Sequence, residues 1–171
     1  KPYTFTLKDN SGKTLKELQN NNDLLAKLKA DNFVAKEFFT IPNEVGDQMN
    51  AWIIKPKNFD KNKKYPVFMY QYSGPGSQQV SNSWDGGNAI WFESLVQKGY
   101  LVVCVDGRGT GYKGTKFKKA TYMNLGKYEI EDQIAAAKWL GKQSFVDASR
   151  IGIFGWSFGG YMSSLALTKG A

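Results

Sequence analysis

The sequence predicts an α/β fold in which a mostly parallel sheet carries helices on both faces. Short apolar runs alternate with segments of helical periodicity along the 171-residue chain. One run, "YLVVCVD" at 100–106, is almost continuously apolar, as is typical of a strand covered on both faces. With 42% hydrophobic residues the chain can bury a core in one domain, which excludes a disordered protein.

The first 35 residues follow a different pattern. "YTFTL" at 3–7 alternates like a strand, and "SGK" at 11–13 indicates a turn. Residues 14–29 predict two short helical segments, the first with a capping box of Thr14 and Glu17 and the second N-capped by Asp23. Because this region is too small for its own core, we expect 1–35 to be a linker or the tail of a preceding domain. The alternative is an N-terminal arm packed on the main domain.

Residues 36–171 alternate between strand and helix signals. The β-α-β-α-β-α order that follows an initial run of strands is what predicts the parallel sheet. Strands are predicted at 36–41, 49–56, 65–73, 100–106 and 150–155, and helices at 86–99, 124–143 and 161–170.

Composition narrows the classes of function. The formal charge is +8, but the lysines are scattered along the chain, which argues against a nucleic-acid partner. The single cysteine, Cys104, lies in an apolar run and is expected to be a small buried hydrophobe. With one cysteine and no histidine we predict no metal site and no cofactor. No apolar run reaches the roughly 18 residues of a membrane span. The start is not a signal peptide and lacks an initiator methionine, so we expect a piece of a longer product.

The stretch "GWSFGGY" at 155–161 holds a serine between a predicted buried strand and a predicted helix. Gly-X-Ser-X-Gly in that setting is typical of the nucleophile elbow of α/β-hydrolases, where a strained serine projects its hydroxyl above the sheet. Gly155 and Gly159 are needed where strand and helix approach closely, and Gly160 adds clearance. The N–H of Phe158 then lies at a helix N-terminus, where it can stabilise an oxyanion. The alternative is a glycine-rich turn with an idle serine.

Two further loops contain glycines. "YQYSGPGSQ" at 70–78 is not the HGGG loop of lipases, and on its residues alone a tight turn with a packed Tyr72 is favoured. "DGRGTGYKG" at 106–114 lacks the pattern of a phosphate loop, so we expect Asp106 and Arg108 to brace it. We interpret Asp147 and Arg150 in the same way.

Taken together, "YSGPGSQ", "DGRGTGYKG", "EIEDQIAAAKWL" and "FVDASRIGIFGWSFGGY" resemble the catalytic α/β-hydrolase domain of the prolyl oligopeptidase family (S9) of serine peptidases. The form of the serine motif resembles the dipeptidyl peptidase IV branch. The similarity runs from about residue 36 to the end. It implies that residues 36–171 form the N-terminal part of the hydrolase domain, up to the elbow helix. It also implies that residues 1–35 are the stretch in which the chain passes from a β-propeller into the hydrolase domain.

The resemblance assigns roles residue by residue. It implies that Ser157 is the nucleophile and that the N–H of Phe158 is one oxyanion donor. Tyr72 corresponds to the tyrosine whose hydroxyl is the other donor, which replaces the packing interpretation. Phe158 stands where this branch commonly has tyrosine, with little consequence for a backbone donor. Trp156 and Tyr161 are expected to pack around the elbow.

The resemblance also implies a substrate and an assembly. Family members cleave peptides after proline, and dipeptidyl peptidases remove dipeptides from free N-termini. A peptide with proline near its N-terminus is therefore the expected substrate. The family further implies a homodimer and a secreted, periplasmic or membrane-anchored parent protein.

The catalytic triad of α/β-hydrolases appears along the chain as Ser, then Asp or Glu, then His. Asp106 and Asp132 precede Ser157, so neither fits as the triad acid. We therefore expect the acid and the histidine downstream of this chain, and we expect the isolated chain to be inactive. The alternatives are an esterase, or a catalytically dead interaction module.

Overall fold

The computed structural model describes residues 2–170. These residues form five helices and seven strands in the following order: β1 (Phe5–Lys8), β2 (Thr14–Gln19), α1 (Asn22–Ala30), β3 (Glu37–Pro42), β4 (Gln48–Ile54), β5 (Tyr65–Tyr70), α2 (Gly87–Gln97), β6 (Leu101–Asp106), α3 (Gly114–Lys119), α4 (Tyr128–Gly141), β7 (Val146–Phe154) and α5 (Phe158–Lys169). Within the described range, none of the helices is both long and apolar enough to cross a bilayer.

Five strands form the main sheet in the order β3-β4-β6-β5-β7. The pairs β6-β5 and β5-β7 are parallel, whereas β3-β4 and β4-β6 are antiparallel. The α/β class agrees with the prediction, but the sheet is mixed rather than mostly parallel. The antiparallel β3-β4 pair follows from the short turn between these strands, because a connection of a few residues joins only antiparallel neighbours. Asn43 closes this turn by accepting hydrogen bonds from the N–H groups of Val45 and Asp47.

The core lies on both faces of the sheet, and β6 contributes to each. On one face Leu101, Val103 and Val105 belong to a cluster that also holds Ala136 and Leu140 of α4. On the other face Val102 and Cys104 pack in a cluster with residues of α2. Every residue of β6 is buried, as its apolar run predicted. The unpaired Cys104 thiol is fully buried, and this burial raises its pKa well above the ordinary value.

The N-terminal segment differs from its predicted structure. Residues 14–19 form strand β2, which pairs with β1 in a separate two-stranded sheet, so the predicted capping box of Thr14 and Glu17 is wrong. The Asp9 carboxylate accepts hydrogen bonds from the N–H groups of Ser11 and Lys13 and thereby closes the hairpin turn. The second predicted segment does form a helix, α1, but Asp23 lies in its first turn rather than at its N-cap.

Candidate active site

Ser157 lies between the last residue of β7 and the first residue of α5. Its backbone has φ 56° and ψ −117°, a conformation that residues other than glycine rarely adopt. The residue is exposed to solvent. Strained backbone at an exposed serine between a strand and a helix is the arrangement of a nucleophile elbow.

The glycines around Ser157 differ in how tightly they are enclosed. A Cβ on Gly155 would lie 2.5 Å from Gln71 Nε2 and 2.6 Å from the Gln71 carbonyl oxygen. A Cβ on Gly159 would also lie 2.6 Å from that oxygen, and 3.2 Å from Tyr72 Cα. At Gly160 the nearest atom is the carbonyl oxygen of Gly155, at 3.4 Å, which is an ordinary contact. The close approach of α5 to the segment after β5 therefore requires glycine at two of the three positions.

Tyr72 lies two residues after the end of β5, next to the elbow. Its ring centroid is 6.3 Å from that of Phe158. A Cβ on Gly74 would clash with Cε1 of the Tyr72 ring, so glycine at 74 makes room for this orientation. Phe158 is the first residue of α5, and the first N–H groups of a helix have no intrahelical acceptor. Ser157, the Phe158 N–H and the half-buried Tyr72 thus lie in one region at the end of the sheet.

The loop after Tyr72 is fixed by the loop that follows β6. The N–H of Gly76 donates to the Gly109 carbonyl at 2.7 Å, and the N–H of Gly111 donates to the Ser77 carbonyl at 2.9 Å. The Asp106 carboxylate accepts hydrogen bonds from the N–H groups of Gln79 at 2.9 Å and Val80 at 2.8 Å. Burial raises the pKa of Asp106 to about 6, although these hydrogen bonds oppose the shift.

Arg108 is paired with Asp132 of α4. Its Nη2 lies 2.6 Å from Asp132 Oδ1, and its backbone N–H donates to Oδ2 at the same distance. The guanidinium also lies 4.6 Å from the centre of the Tyr128 ring. Asp106 and Arg108 therefore brace the loops, as predicted. Asp147 and Arg150 form a 2.7 Å ion pair, and hydrogen bonds from Ser149 and Arg150 lower the pKa of Asp147 to about 2.

The two aromatic residues expected around the elbow differ in their environment. Trp156 is 79% exposed, so the prediction that it packs there is wrong. Tyr161 does pack, with its ring in T-shaped contact with Phe158 at 5.6 Å.

One residue beside the site was missed in the sequence. Gln71 is 1% exposed and contacts both Gly155 and Gly159. The only feature of the sequence that could have indicated Gln71 is its position, as a polar residue directly after an apolar strand and next to Tyr72.

A family model and a solved structure both relate this chain to peptidases. A model of the prolyl oligopeptidase family matches residues 89–171, which include the elbow. The crystal structure of Porphyromonas gingivalis dipeptidyl peptidase 4 superposes with a TM-score of 0.90 at 47% sequence identity, over 99% of this chain. The chain belongs to the prolyl oligopeptidase family.

Curated relatives of this prolyl oligopeptidase family member span many more residues. Dipeptidyl peptidase 4 of Trichophyton equinum is 41% identical over 97% of this chain. The probable dipeptidyl-aminopeptidase B of Arthroderma benhamiae is 42% identical over 91% of it. The chain spans 22% of the length of the first relative, 17% of the second and 24% of the P. gingivalis chain.

Proposed function

We propose that the full-length protein carrying this chain is a serine peptidase of the dipeptidyl peptidase type. The observation that carries the proposal is the left-handed backbone of the exposed Ser157 at the turn from β7 into α5, with Tyr72 beside Phe158. The names of the relatives support the peptidase class. No residue in this assignment requires a cofactor.

The chemistry is acyl transfer. Ser157 Oγ attacks the peptide carbonyl carbon and loses its proton to a general base, and the carbonyl oxygen becomes an oxyanion. The Phe158 N–H and the Tyr72 hydroxyl donate hydrogen bonds to that oxygen. The intermediate then expels the amine, which takes the proton from the base. In the second half of the reaction, water attacks the acyl-enzyme carbonyl and gives a proton to the base, and Ser157 Oγ leaves with that proton.

The general base lies outside this chain in our proposal, because the sequence contains no histidine. The acid and the histidine of an α/β-hydrolase follow the serine in chain order, so we place both in sequence after Ala171. Residues 36–171 would then be the N-terminal part of the hydrolase domain, and residues 1–35 the link from a propeller-like unit. An unassisted serine hydroxyl is a weak nucleophile, so the isolated chain is expected to be inactive.

The substrate we propose is a peptide with proline near its N-terminus, from which a dipeptide is released. The printed names of the relatives, dipeptidyl peptidase and dipeptidyl-aminopeptidase, support dipeptide release. The proline preference and a homodimer of the full-length protein come from the family resemblance described above.

Hydrolysis of an X-Pro anilide by the full-length protein tests this function, with a short-chain ester as the comparison substrate. We expect faster turnover of the anilide, and loss of turnover in Ser157→Ala. A peptidyl phosphonate should label Ser157 rapidly in the full-length protein but not in the isolated chain. Faster ester turnover without proline preference would instead indicate an esterase. No turnover of either substrate, with no histidine after residue 171, would indicate a catalytically dead interaction module.

A further inference from the structure

Gln71 connects the two halves of the candidate oxyanion hole. It is the first residue after β5, directly precedes Tyr72, and is 1% exposed. We propose that Gln71 is a positioning residue that fixes the Tyr72 hydroxyl relative to the N–H of Phe158. This inference rests on the proposed peptidase function.

The amide and the backbone of Gln71 hold the elbow from both sides. Gln71 Nε2 donates to the carbonyl of Gly159 at 2.7 Å and to Ser163 Oγ at 3.1 Å, both in the first half of α5. Its backbone N–H donates to the carbonyl of Phe154, the last residue of β7, at 3.0 Å. Phe154 before the serine turn and Gly159 after it are thus both hydrogen-bonded to Gln71.

The other end of the same amide holds the backbone after Tyr72. Gln71 Oε1 accepts a hydrogen bond from Ser73 Oγ at 2.9 Å. Ser73 is buried and has φ 61°, so its backbone is strained like that of Ser157. Gln133 Nε2 donates to Ser73 Oγ at 3.2 Å and to the Val105 carbonyl at 2.9 Å. Two buried amides therefore hold Ser73 in the conformation that orients Tyr72.

The direction of these hydrogen bonds is determined by the carbonyl of Gly159. A carbonyl oxygen only accepts, so the nitrogen of the Gln71 amide must face Gly159 and its oxygen must face Ser73. A glutamate at 71 has nearly the same shape, but it would place a carboxyl oxygen against that carbonyl. A methionine would fill the space and leave the hydrogen bonds unmade. Both substitutions remove hydrogen bonds of the Gln71 side chain without leaving a cavity in its place.

The expected consequence is a loss of transition-state stabilisation. Both oxyanion donors are adjacent to groups that Gln71 binds, and a displacement of about 1 Å in such a site costs on the order of 100-fold in rate. Donors aimed at the oxyanion act on the tetrahedral state more than on the bound peptide, so kcat should fall while KM changes little.

The experiment uses Gln71→Glu and Gln71→Met in the full-length protein. The matched control is Gln143→Glu, since Gln143 Nε2 also donates to a backbone carbonyl, that of Trp139, but lies before the first residue of β7, at the opposite end of that strand from the elbow. We expect kcat on an X-Pro anilide to fall roughly 10- to 100-fold in both Gln71 variants, with KM within about a factor of two. The affinity for a peptidyl aldehyde, which forms a tetrahedral adduct with the serine, should fall by a similar factor. The control should retain its kcat and its aldehyde affinity.

Thermal melting and amide hydrogen exchange of residues 158–163 accompany the kinetics. Faster exchange in a folded Gln71→Met variant, together with the fall in kcat, supports the inference. If folded Gln71 variants keep kcat and aldehyde affinity, or change only KM, the inference is overturned while the peptidase function stands. If the unsubstituted protein neither hydrolyses the anilide nor reacts with a phosphonate, the proposed function fails and the oxyanion role of Gln71 fails with it. The exchange rates then report separately whether Gln71 anchors α5.

Discussion

Two adjacent glycines of α5 have very different surroundings, which provides an internal control at the elbow. Gly159→Ala would place a Cβ 2.6 Å from a backbone oxygen, so α5 must shift away from Tyr72. Gly160→Ala meets only an ordinary contact and gains helix propensity of up to about 1 kcal/mol. We expect Gly159→Ala to destabilise the protein by about 2 kcal/mol or more and to lower kcat at least about 10-fold. Urea unfolding and anilide turnover of the full-length protein measure both effects.

The Gly160→Ala variant should unfold at the same urea concentration as the unsubstituted protein, or at a slightly higher one. Equal effects of the two substitutions would contradict the difference in the space around Gly159 and Gly160. If both substitutions leave stability and kcat unchanged, α5 adjusts to a Cβ at either position without moving the oxyanion donors.

Asp106 couples the stability of the protein to pH. Its pKa is raised from 3.8 to about 6 in the folded state by burial, so its contribution to stability is complete below about pH 4 and is lost as the pH rises through about 6. A shift of this size corresponds to about 3 kcal/mol. Because Asn at 106 cannot ionise, Asp106→Asn should have similar stability to the unsubstituted protein at pH 4 and greater relative stability at pH 7.5.

The difference in unfolding free energy between Asp106→Asn and the unsubstituted protein, measured from pH 4 to pH 8, checks this sign. A difference that does not change with pH would show that Asp106 has the same pKa in the folded and unfolded states. Taking the difference removes the contribution of other carboxylates, which titrate in both proteins.

At the scale of elements, one buried carboxylate joins three of them. Asp132 of α4 binds Arg108 in the loop after β6, and Asn43 in the turn from β3 to β4 donates to it at 3.3 Å. Removing one partner of a buried ion pair typically costs about 3–5 kcal/mol, because the other charge is left buried. We expect Asp132→Leu to cost about that much and Arg108→Met/Asp132→Leu to cost less than the sum of the two single substitutions.

Urea unfolding of the two single variants and the double variant measures this coupling. Additive costs would contradict the ion pair as the connection between these elements. Asp147→Leu provides the comparison for an exposed pair with Arg150, for which a much smaller loss of stability is expected.

Elements that depend on contacts local in sequence could be predicted, whereas elements that depend on pairing between separate segments could not. Strand β6 was evident because its burial on both faces leaves an uninterrupted apolar run. Residues 14–19 were predicted as helix because Thr14 and Glu17 fit a capping box. Pairing with β1 across the Asp9 turn overrides that local pattern, and local patterns do not encode pairing. The antiparallel β3-β4 pair depends likewise on a short turn whose hydrogen bonds come from Asn43.

For the whole molecule, the same distinction separates the parts of the candidate site. Ser157 and its glycines could be predicted because strand, turn and helix are contiguous in sequence. Tyr72 could be assigned only through the family resemblance, since a tyrosine after a strand is equally consistent with packing. Gln71 bonds to a residue 88 positions away, so only the folded structure brings it to the elbow.

The hairpin of β1 and β2 is structurally separate from the α/β body. All residues of both strands are exposed, and in residues 2–170 neither core cluster includes one of them. Asn21 Nδ2 donates to the Tyr3 carbonyl at 2.7 Å, so the two ends of the hairpin meet. Excision of residues 4–20, with Tyr3 joined directly to Asn21, should therefore leave the body intact. It also retains the hydrogen bond from the Tyr3 hydroxyl to the Trp84 carbonyl.

We expect the excised chain to unfold within about 1.5 kcal/mol of the 171-residue chain, the range of one or two exposed hydrogen bonds. Tryptophan fluorescence in a urea titration reports on the body alone, because all five tryptophans lie after residue 50. Trp52, which is buried against Phe92 at 5.5 Å, gives the signal of the core. A loss of several kcal/mol, or of the cooperative transition, would show that the body depends on the hairpin for its stability. An unchanged transition would instead show that the body holding the elbow folds without residues 4–20.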